Sequence, residues 1–463
     1  MKKMNVHLSV ASIMLIIMML LSGCEVFYPS QLEEDYQANI LSTTADFTTT
    51  QSTTSQAVTT SSTAKTTAKS TAKSTAKSTA SAKVKATTTT KPAKEVKPDQ
   101  PNNQSASTEP PTSSSSSYSY DQLSKSDREI YKSIESGIKD CRARIRIANR
   151  ESLDPDTVFN IYFAVLADHP EFFHVGKQVG FEFDGKDTYI TNINLDENGN
   201  QLSTYNASTY KSMKSKLDKI VNKLISATSS MNDYEKVKYY HDYIVLNTDY
   251  VSGRANSHNL YGALIEGKAV CEGYARALQY LCNKSGIECL FVTGRSKDEY
   301  HGWNLVKLGG EFYHIDPTWN DPTGSPADYI TYTYFGLTDK QISADHFFSD
   351  ADRPVSHYKK LPAAKGTKYD YYKYNKLYFT DASTAQADLT KVILNAAKKK
   401  QKYVEIKYAN KSTFDKAYDL LKSSGYYNAL NAAAEKNKTI STQMNSFRYN
   451  DKHCTITFEI NYK

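Results

Sequence analysis

The sequence predicts an α+β protein carried behind a long N-terminal segment that builds no core. Three stretches carry that expectation. Gly267 to Gly286, "GKAVCEGYARALQYLCNKSG", has the apolar spacing of an amphipathic helix. Tyr300 to Pro322, "YHGWNLVKLGGEFYHIDPTWNDP", reads as two apolar-rich strands about Gly309-Gly310, a two-residue hairpin signal. The residues after about 356 alternate between strand-like and helical runs, which suggests a small α+β domain.

The chain begins with two lysines and an apolar run from Leu8 to Leu21. A span needs roughly 18 apolar residues or more, so this run fits the core of a secretory signal better than a membrane helix. It ends in "LSGC", Leu21 to Cys24, which resembles the bacterial lipobox. That resemblance implies cleavage after residue 23, lipid on Cys24, and a place on the extracellular face of a bacterial cell membrane. Residues 24–118 then form a tract dominated by Thr, Ser, Ala, Lys and Pro, with the repeat "TAKSTAKSTAKSTA" from Thr67 to Ala80. Such a tract has almost no apolar surface to bury and is read as a disordered tether. If flexible it averages roughly 50 Å end to end, and about 200 Å when extended. Nine lysines lie between Lys65 and Lys97, which suits either adherence to an anionic wall or a plain soluble spacer.

Folded sequence starts near Tyr120. Residues 119–228 read as a helical block with a hairpin. "DREIYKSIESGIKDCRARIRIANRESLDPDTVFNIYFAVLADHPEFF" is expected to be helical, with Asp154-Pro155 opening its second helix. "VGFEFDGKDTYITNINLD" alternates as a hairpin turning at Asp184-Gly185. "ASTYKSMKSKLDKIVNKLISATSS" is a further helix, as is "NDYEKVKYYHDYIVLNTDYV", where Val237, Tyr240 and Ile244 keep helical spacing. Residues 229–355 are assigned to the core that carries the chemistry, and 356–463 to a C-terminal α+β accessory domain. In that domain "YDYYKYNKLYFT", "KYVEIKYA" and "CTITFEINYK" read as strands, and "TAQADLTKVILNAAKKK" and "TFDKAYDLLKSSGYYNALNAAAEKN" as helical.

Cys271 opens the helix whose buried stripe is Tyr274, Leu278, Leu281 and Cys282, with Gly286 as terminator. A thiol in a first helical turn sits beside backbone N–H groups and the positive end of the macrodipole. Both favour thiolate and can serve an oxyanion. Glu272 opposes this but points elsewhere around the helix. In the hairpin, a turn at Gly309-Gly310 pairs Leu308 with Glu311, so paired positions sum to about 619. Trp303 then lies opposite Asp316, and His301 is the diagonal neighbour of Asp316 on the same face, within reach of a carboxylate–imidazole bond. His314 shares strand and face with Asp316, opposite Leu305, and is the rival histidine.

A helix-start thiol followed by a His–Asp hairpin is the arrangement that thiol acyl transfer needs. "GKAVCEGYARAL", "HGWNLV" and "YHIDPTWND" resemble the catalytic blocks of the transglutaminase-like superfamily. The order Cys, His, Asp and the gaps of 30 and 15 residues match, over about Leu246 to Pro322. The resemblance implies a papain-like core, a nucleophile helix packed on an antiparallel sheet. It implies Cys271 as nucleophile, His301 as general base and acid, and Asp316 as the orienting carboxylate. Trp303 and Trp319 stand where bacterial members often carry tryptophan, and Trp303 is a candidate substrate contact. Papain-type proteases place an oxyanion Gln six residues before the cysteine; that position here is Ile265. Tyr261 is the candidate for the second oxyanion donor.

Three functions are open on these residues. The first is hydrolysis, by a cell-surface cysteine peptidase or amidase acting on a protein or peptide substrate, including wall-associated ones. The second is transamidation, cross-linking a Gln carboxamide to an amine. The third is a non-catalytic surface-binding module. Many bacterial members resemble hydrolases, which favours the first. The six cysteines are sparse and contain no C-x-x-C, which excludes a disulfide framework and a zinc site; Cys282 and Cys289 read as reduced core residues. No EF-hand spacing occurs, so no metal or other cofactor is expected. The net charge of +7 comes largely from the tether and scattered helical lysines, which argues against a nucleic-acid partner. Thirty-five tyrosines suit an extracellular surface.

Overall fold

A computed structural model describes residues 117–463, apart from 149–152, 177–178, 196–199, 298, 327, 350–359 and 444–446. The expected signal segment, Cys24 and the tether as far as residue 116 lie outside the described residues, and Tyr118, placed at the end of the tether, instead opens the first helix. Among the described residues no helix is long and apolar enough to cross a membrane.

The chain enters through α1 (Tyr118–Asp121), α2 (Lys125–Lys139), β1 (Ile145–Ala148) and α3 (Pro155–Asp168). The Ser124 hydroxyl caps α2 by accepting from Asp127 N, and Asp154 caps α3 by accepting from Thr157 N ahead of Pro155. β2 (Gly180–Phe183) and β3 (Thr188–Thr191) make the hairpin expected about Gly185, whose φ is 92°. β1 is a departure from the helical reading of this block. Ile145 and Ile147 are buried while Arg144 and Arg146 reach out to Glu182 and Asp187, at 3.0 and 2.7 Å. That is a period of two, hidden by the brevity of the strand, and it pairs β1 with β3 in a sheet ordered β1-β3-β2.

α4 (Ala207–Ala227), α5 (Asp233–Asn247), β4 (Asp249–Tyr250), a π-turn at Gly262–Glu266, β5 (Lys268–Ala269) and α6 (Cys271–Lys284) follow. Leu217, Val221 and Leu224 of α4 share one core with Val237, Tyr240 and Ile244 of α5 and Tyr274, Leu278 and Leu281 of α6. α4 therefore packs with the segment after 229, not only with the block before it. α6 stops as Gly286 takes φ 77° and Ile287 N donates back to Cys282 O at 2.9 Å. Its burial is wider than the single stripe read from the sequence. Arg276 and Gln279 are also enclosed, donating to Leu166 O at 2.8 Å and Ala167 O at 2.6 Å, carbonyls of the last turn of α3.

Five strands then form an antiparallel sheet: β6 (Cys289–Ser296), β7 (Glu299–Leu308), β8 (Glu311–Ile315), β9 (Phe335–Leu337) and β10 (His346–Phe347), with α7 (Asp339–Ile342) before the last. Their order is β10-β6-β7-β8-β9. Gly309 and Gly310, at φ 59° and 88°, make the tight turn that only residues tolerant of positive φ allow at both positions. Leu308 pairs with Glu311, Leu305 with His314 and Asn304 with Ile315, the register expected from that turn. Asn304 joins sheet to helix, donating to Ala275 O of α6 at 2.9 Å.

The C-terminal domain runs α8 (Tyr371–Tyr374), β11 (Tyr378–Phe379), α9 (Ala385–Lys398), β12 (Tyr403–Tyr408), α10 (Lys411–Leu420), a π-turn, α11 (Tyr426–Lys436), β13 (Phe447–Asn450) and β14 (Thr455–Glu459). The sheet order is β11-β12-β14-β13, over a core of its own. The stretch "YDYYKYNKLYFT" is a short helix before it is a strand, because Asp370 accepts from Tyr372 N and Lys373 N and caps α8. That helix turns its tyrosines onto the preceding domain: Tyr374 stacks on Tyr234 at 3.7 Å and Tyr371 on Tyr332 at 3.9 Å between centroids.

Glu405 of β12 ties the two domains together. Its buried carboxylate accepts from Tyr332 N at 2.7 Å and from the hydroxyls of Thr331, Thr333 and Thr457 at 2.6, 3.2 and 3.1 Å. Replacing Glu405 by alanine strands those buried donors, and is expected to cost about 3 kcal/mol in urea unfolding. Serine in place of any one threonine, which keeps the hydroxyl, should cost less than about 1.5 kcal/mol.

Candidate active site

Cys271 occupies the first position of α6 and is 3 % exposed. Val270 stands at the N-cap and brings no side-chain hydrogen bond to the first turn. Its backbone is fixed from the other side, Val270 N donating to Ser257 O at 2.9 Å. The helix must come very close to that loop: a Cβ on Gly273 would lie 2.6 Å from Ser257 O, so no larger residue fits without moving the first turn. Glu272 faces away from the thiol, toward Arg276 at 3.7 Å and His258 at 3.4 Å.

β7 meets the same first turn. A Cβ on Gly302 would lie 3.8 Å from the Cα of Glu272 and 2.7 Å from the Phe291 ring, so the residues adjoining Cys271 and His301 touch. His301 Nε2 and Asp316 Oδ2 are 2.7 Å apart. The Asp316 side chain is fully buried and that of His301 is 8 % exposed. The other Asp316 oxygen, Oδ1, accepts from Thr318 N and Trp319 N at 2.9 and 3.1 Å, which locks the carboxylate in its turn. Asn320 pins that turn, its side chain lying 3.0 Å from His241 Nε2 of α5 and accepting from Tyr334 N.

His314, the rival histidine, is fully buried elsewhere: its Nδ1 accepts from Trp303 Nε1 at 3.0 Å and its Nε2 lies 2.9 Å from Asp339. Burial outweighs Asp339 and lowers its pKa from the usual value. Trp303 is fully enclosed and stacks on His301, 5.8 Å between centroids. It is thus the wall behind the imidazole and offers no surface to a substrate, which corrects the substrate-contact reading. Tyr261 is also a core residue, stacked on Phe173 at 5.5 Å. An oxyanion role gains no support from that position.

The sequence reading missed the second histidine on Asp316. His346 Nε2 lies 3.0 Å from Asp316 Oδ2, and His346 Nδ1 lies 2.7 Å from Asp345 Oδ1. Asp345 Oδ2 in turn meets His453 Nε2 at 3.1 Å and accepts from the Tyr334 hydroxyl at 2.8 Å. No local pattern announces these partners; only "DH" at 345–346, a carboxylate beside an imidazole, is a faint sign. His301, Asp316 and His346 present ligand-type atoms within 4.8 Å of one another, the one such cluster found among the described residues. Those atoms are already joined to each other by hydrogen bonds, so the group is a proton-sharing cluster in this state.

Burial alone would raise the Asp316 pKa, but the His301 and His346 rings outweigh it and hold the carboxyl well below its usual range. Asp345 is likewise held down against burial by His346 and His453. Burial would lower His346, yet Asp316 and Asp345 raise it. The depressed carboxylates stabilise the fold above about pH 3.9, and this is lost as pH falls through their folded values. The raised histidine stabilises it fully below about pH 6.5, and this is lost as pH rises through its folded value. Thermal melting should therefore decline on the alkaline side of about pH 6.5, and a His346→Asn variant should lack that part of the decline.

A helix-start cysteine set against an antiparallel strand whose histidine holds a buried aspartate is the arrangement implied by the sequence resemblance to the transglutaminase-like superfamily. The model of the transglutaminase-like superfamily matches residues 220–317, from within α4 to just past Asp316, so that stretch of the chain is similar to the superfamily. The chain is similar to the kyphoscoliosis peptidases of Mus musculus and Homo sapiens, 26 % identical over 159 and 158 residues. Each match covers 30 % of this chain and 24 % of the relative, so the chain spans about a quarter of the length of those curated relatives. Among solved structures it is similar to a TGase, at 17 % identity and a TM-score of 0.22, covering 40 % of this chain and 52 % of that one.

Proposed function

We propose that this chain is a lipid-anchored cell-surface enzyme that transfers acyl groups through a Cys271 thioester, with water as the usual acceptor, making it a peptidase or amidase. The observation that carries the reading is the buried His301–Asp316 pair, 2.7 Å apart, on the strand that abuts the first turn of the Cys271 helix. Because Asp316 Oδ2 is an acceptor, His301 Nε2 carries a proton, and the lone pair of a neutral ring lies on Nδ1. Nδ1 takes the thiol proton before substrate arrives, giving a thiolate–imidazolium pair, and the Cys271 thiolate then attacks an amide carbonyl. The C–N bond breaks, the imidazolium returns the proton to the leaving amine, and a thioester remains. Water, deprotonated by the same ring, cleaves the thioester to acid and thiol. The Cys271 amide at the helix start serves the oxyanion. The peptidase relatives support the hydrolytic form.

Transamidation is the second reading, and one observation favours it. Cys271 is 3 % exposed, and an acyl-enzyme shielded from water survives until an amine arrives. The lipobox resemblance of "LSGC" supports the surface location. The test is to incubate the protein with a labelled primary amine and a panel of surface proteins and wall peptides. Cleavage without label supports hydrolysis, and label in products supports transamidation. Neither, together with an unreactive Cys271, refutes both.

A further inference from the structure

His346 has no task in the mechanism so far, yet it is buried with both ring nitrogens against carboxylates. Both of its ring nitrogens face carboxylate oxygens, at 3.0 Å to Asp316 and 2.7 Å to Asp345. A neutral imidazole has one N–H and would turn a lone pair onto one of those oxygens; only the doubly protonated ring satisfies both. The ring is fully buried, so the charge is not shared with water. The groups that act on it are Asp316 and Asp345 by contact, His301 at 5.4 Å between ring centroids, Tyr334 at 5.4 Å, His314 through space and His453 through Asp345. Asp345 cannot turn away, because Tyr334 and His453 hold its second oxygen.

We propose that His346 is a positioning residue for the reaction: a buried imidazolium, clamped between Asp316 and Asp345, that sets how much of the Asp316 charge is available to His301. This rests on the reading of Cys271, His301 and Asp316 as the reacting set. Two N–H donors share Asp316 Oδ2, while backbone amides occupy Oδ1. The His346 cation therefore weakens the grip of Asp316 on the His301 imidazolium and repels it directly, so His301 surrenders its proton to the leaving amine more readily. Asp345 keeps that cation in place. His453, from the loop between β13 and β14, extends the support into the C-terminal domain.

The test is the pH profile of Cys271 alkylation by iodoacetamide in the folded protein, read on the Cys271 peptide by mass spectrometry, with melting temperature measured alongside. A thiolate–imidazolium pair gives one inflection below the ordinary thiol value of about 8.5, and a second where His301 loses its proton. His346→Gln keeps a donor for Asp316 without the charge, and the second inflection should rise by about one pH unit. Asp345→Asn removes the carboxylate that keeps His346 charged and should move it the same way, which also covers a His346 variant that fails to fold. A second inflection unmoved or lowered in the folded variants overturns the role of His346, since a purely structural residue would change melting alone. A native protein with no inflection below the ordinary thiol range instead overturns the reading of Cys271.

Discussion

Cys271→Ala is expected to remove turnover entirely, a loss of about 10⁴-fold or more, while the melting temperature hardly moves. The change deletes one sulfur at a site that is 3 % exposed, so the cavity left behind costs about 1 kcal/mol. The helix around it is held by groups that do not involve the thiol. Val270 N bonds Ser257 O, Asn304 bonds Ala275 O, and Arg276 and Gln279 bond the end of α3. Activity on any cleaved or cross-linked substrate, set beside circular dichroism and melting, separates chemistry from folding. Residual turnover within about tenfold of the native protein would remove Cys271 from the mechanism.

Asp316→Asn should be nearly as damaging to the reaction and far more damaging to the fold. Asparagine cannot accept from both histidines and from the two backbone amides at once, because one of its atoms is an amide nitrogen. If that nitrogen faces His301, the ring is driven to the tautomer with its proton on Nδ1, and the acceptor for the thiol proton is gone. The expected loss is about 10³- to 10⁴-fold in the rate of acylation. The same substitution leaves the His346 cation with one carboxylate instead of two, and should cost about 3 kcal/mol of stability. Adding His346→Gln to Asp316→Asn should recover part of that stability and none of the rate, as double-mutant denaturation and alkylation kinetics would show.

Much of this arrangement is legible in the chain because it is local. The Gly309-Gly310 turn fixes the register of β7 and β8, and the register alone puts His301 diagonal to Asp316. The stripe of α6 likewise follows from spacing. What could not be read depends on distance along the chain. His346 and His453 approach Asp316 and Asp345 across 30 and 108 positions, one from a strand of two residues too short to show a pattern and the other from the loop between β13 and β14. β1 was lost for the same reason: four residues give two alternations, easily absorbed into flanking helices. The place of Trp303 behind the imidazole was not legible because position beside a reactive residue says nothing about which side of the sheet a ring enters.

The Glu405 carboxylate, sunk among donors from both domains, has a thermodynamic corollary. The C-terminal fold cannot separate from the preceding domain without breaking the bonds that the buried Glu405 carboxylate accepts from Thr331, Tyr332 and Thr333, so the two should melt as one calorimetric unit despite their separate cores. Any molecule that binds tightly at Cys271 would then slow amide exchange in β12 and β14, strands it never touches.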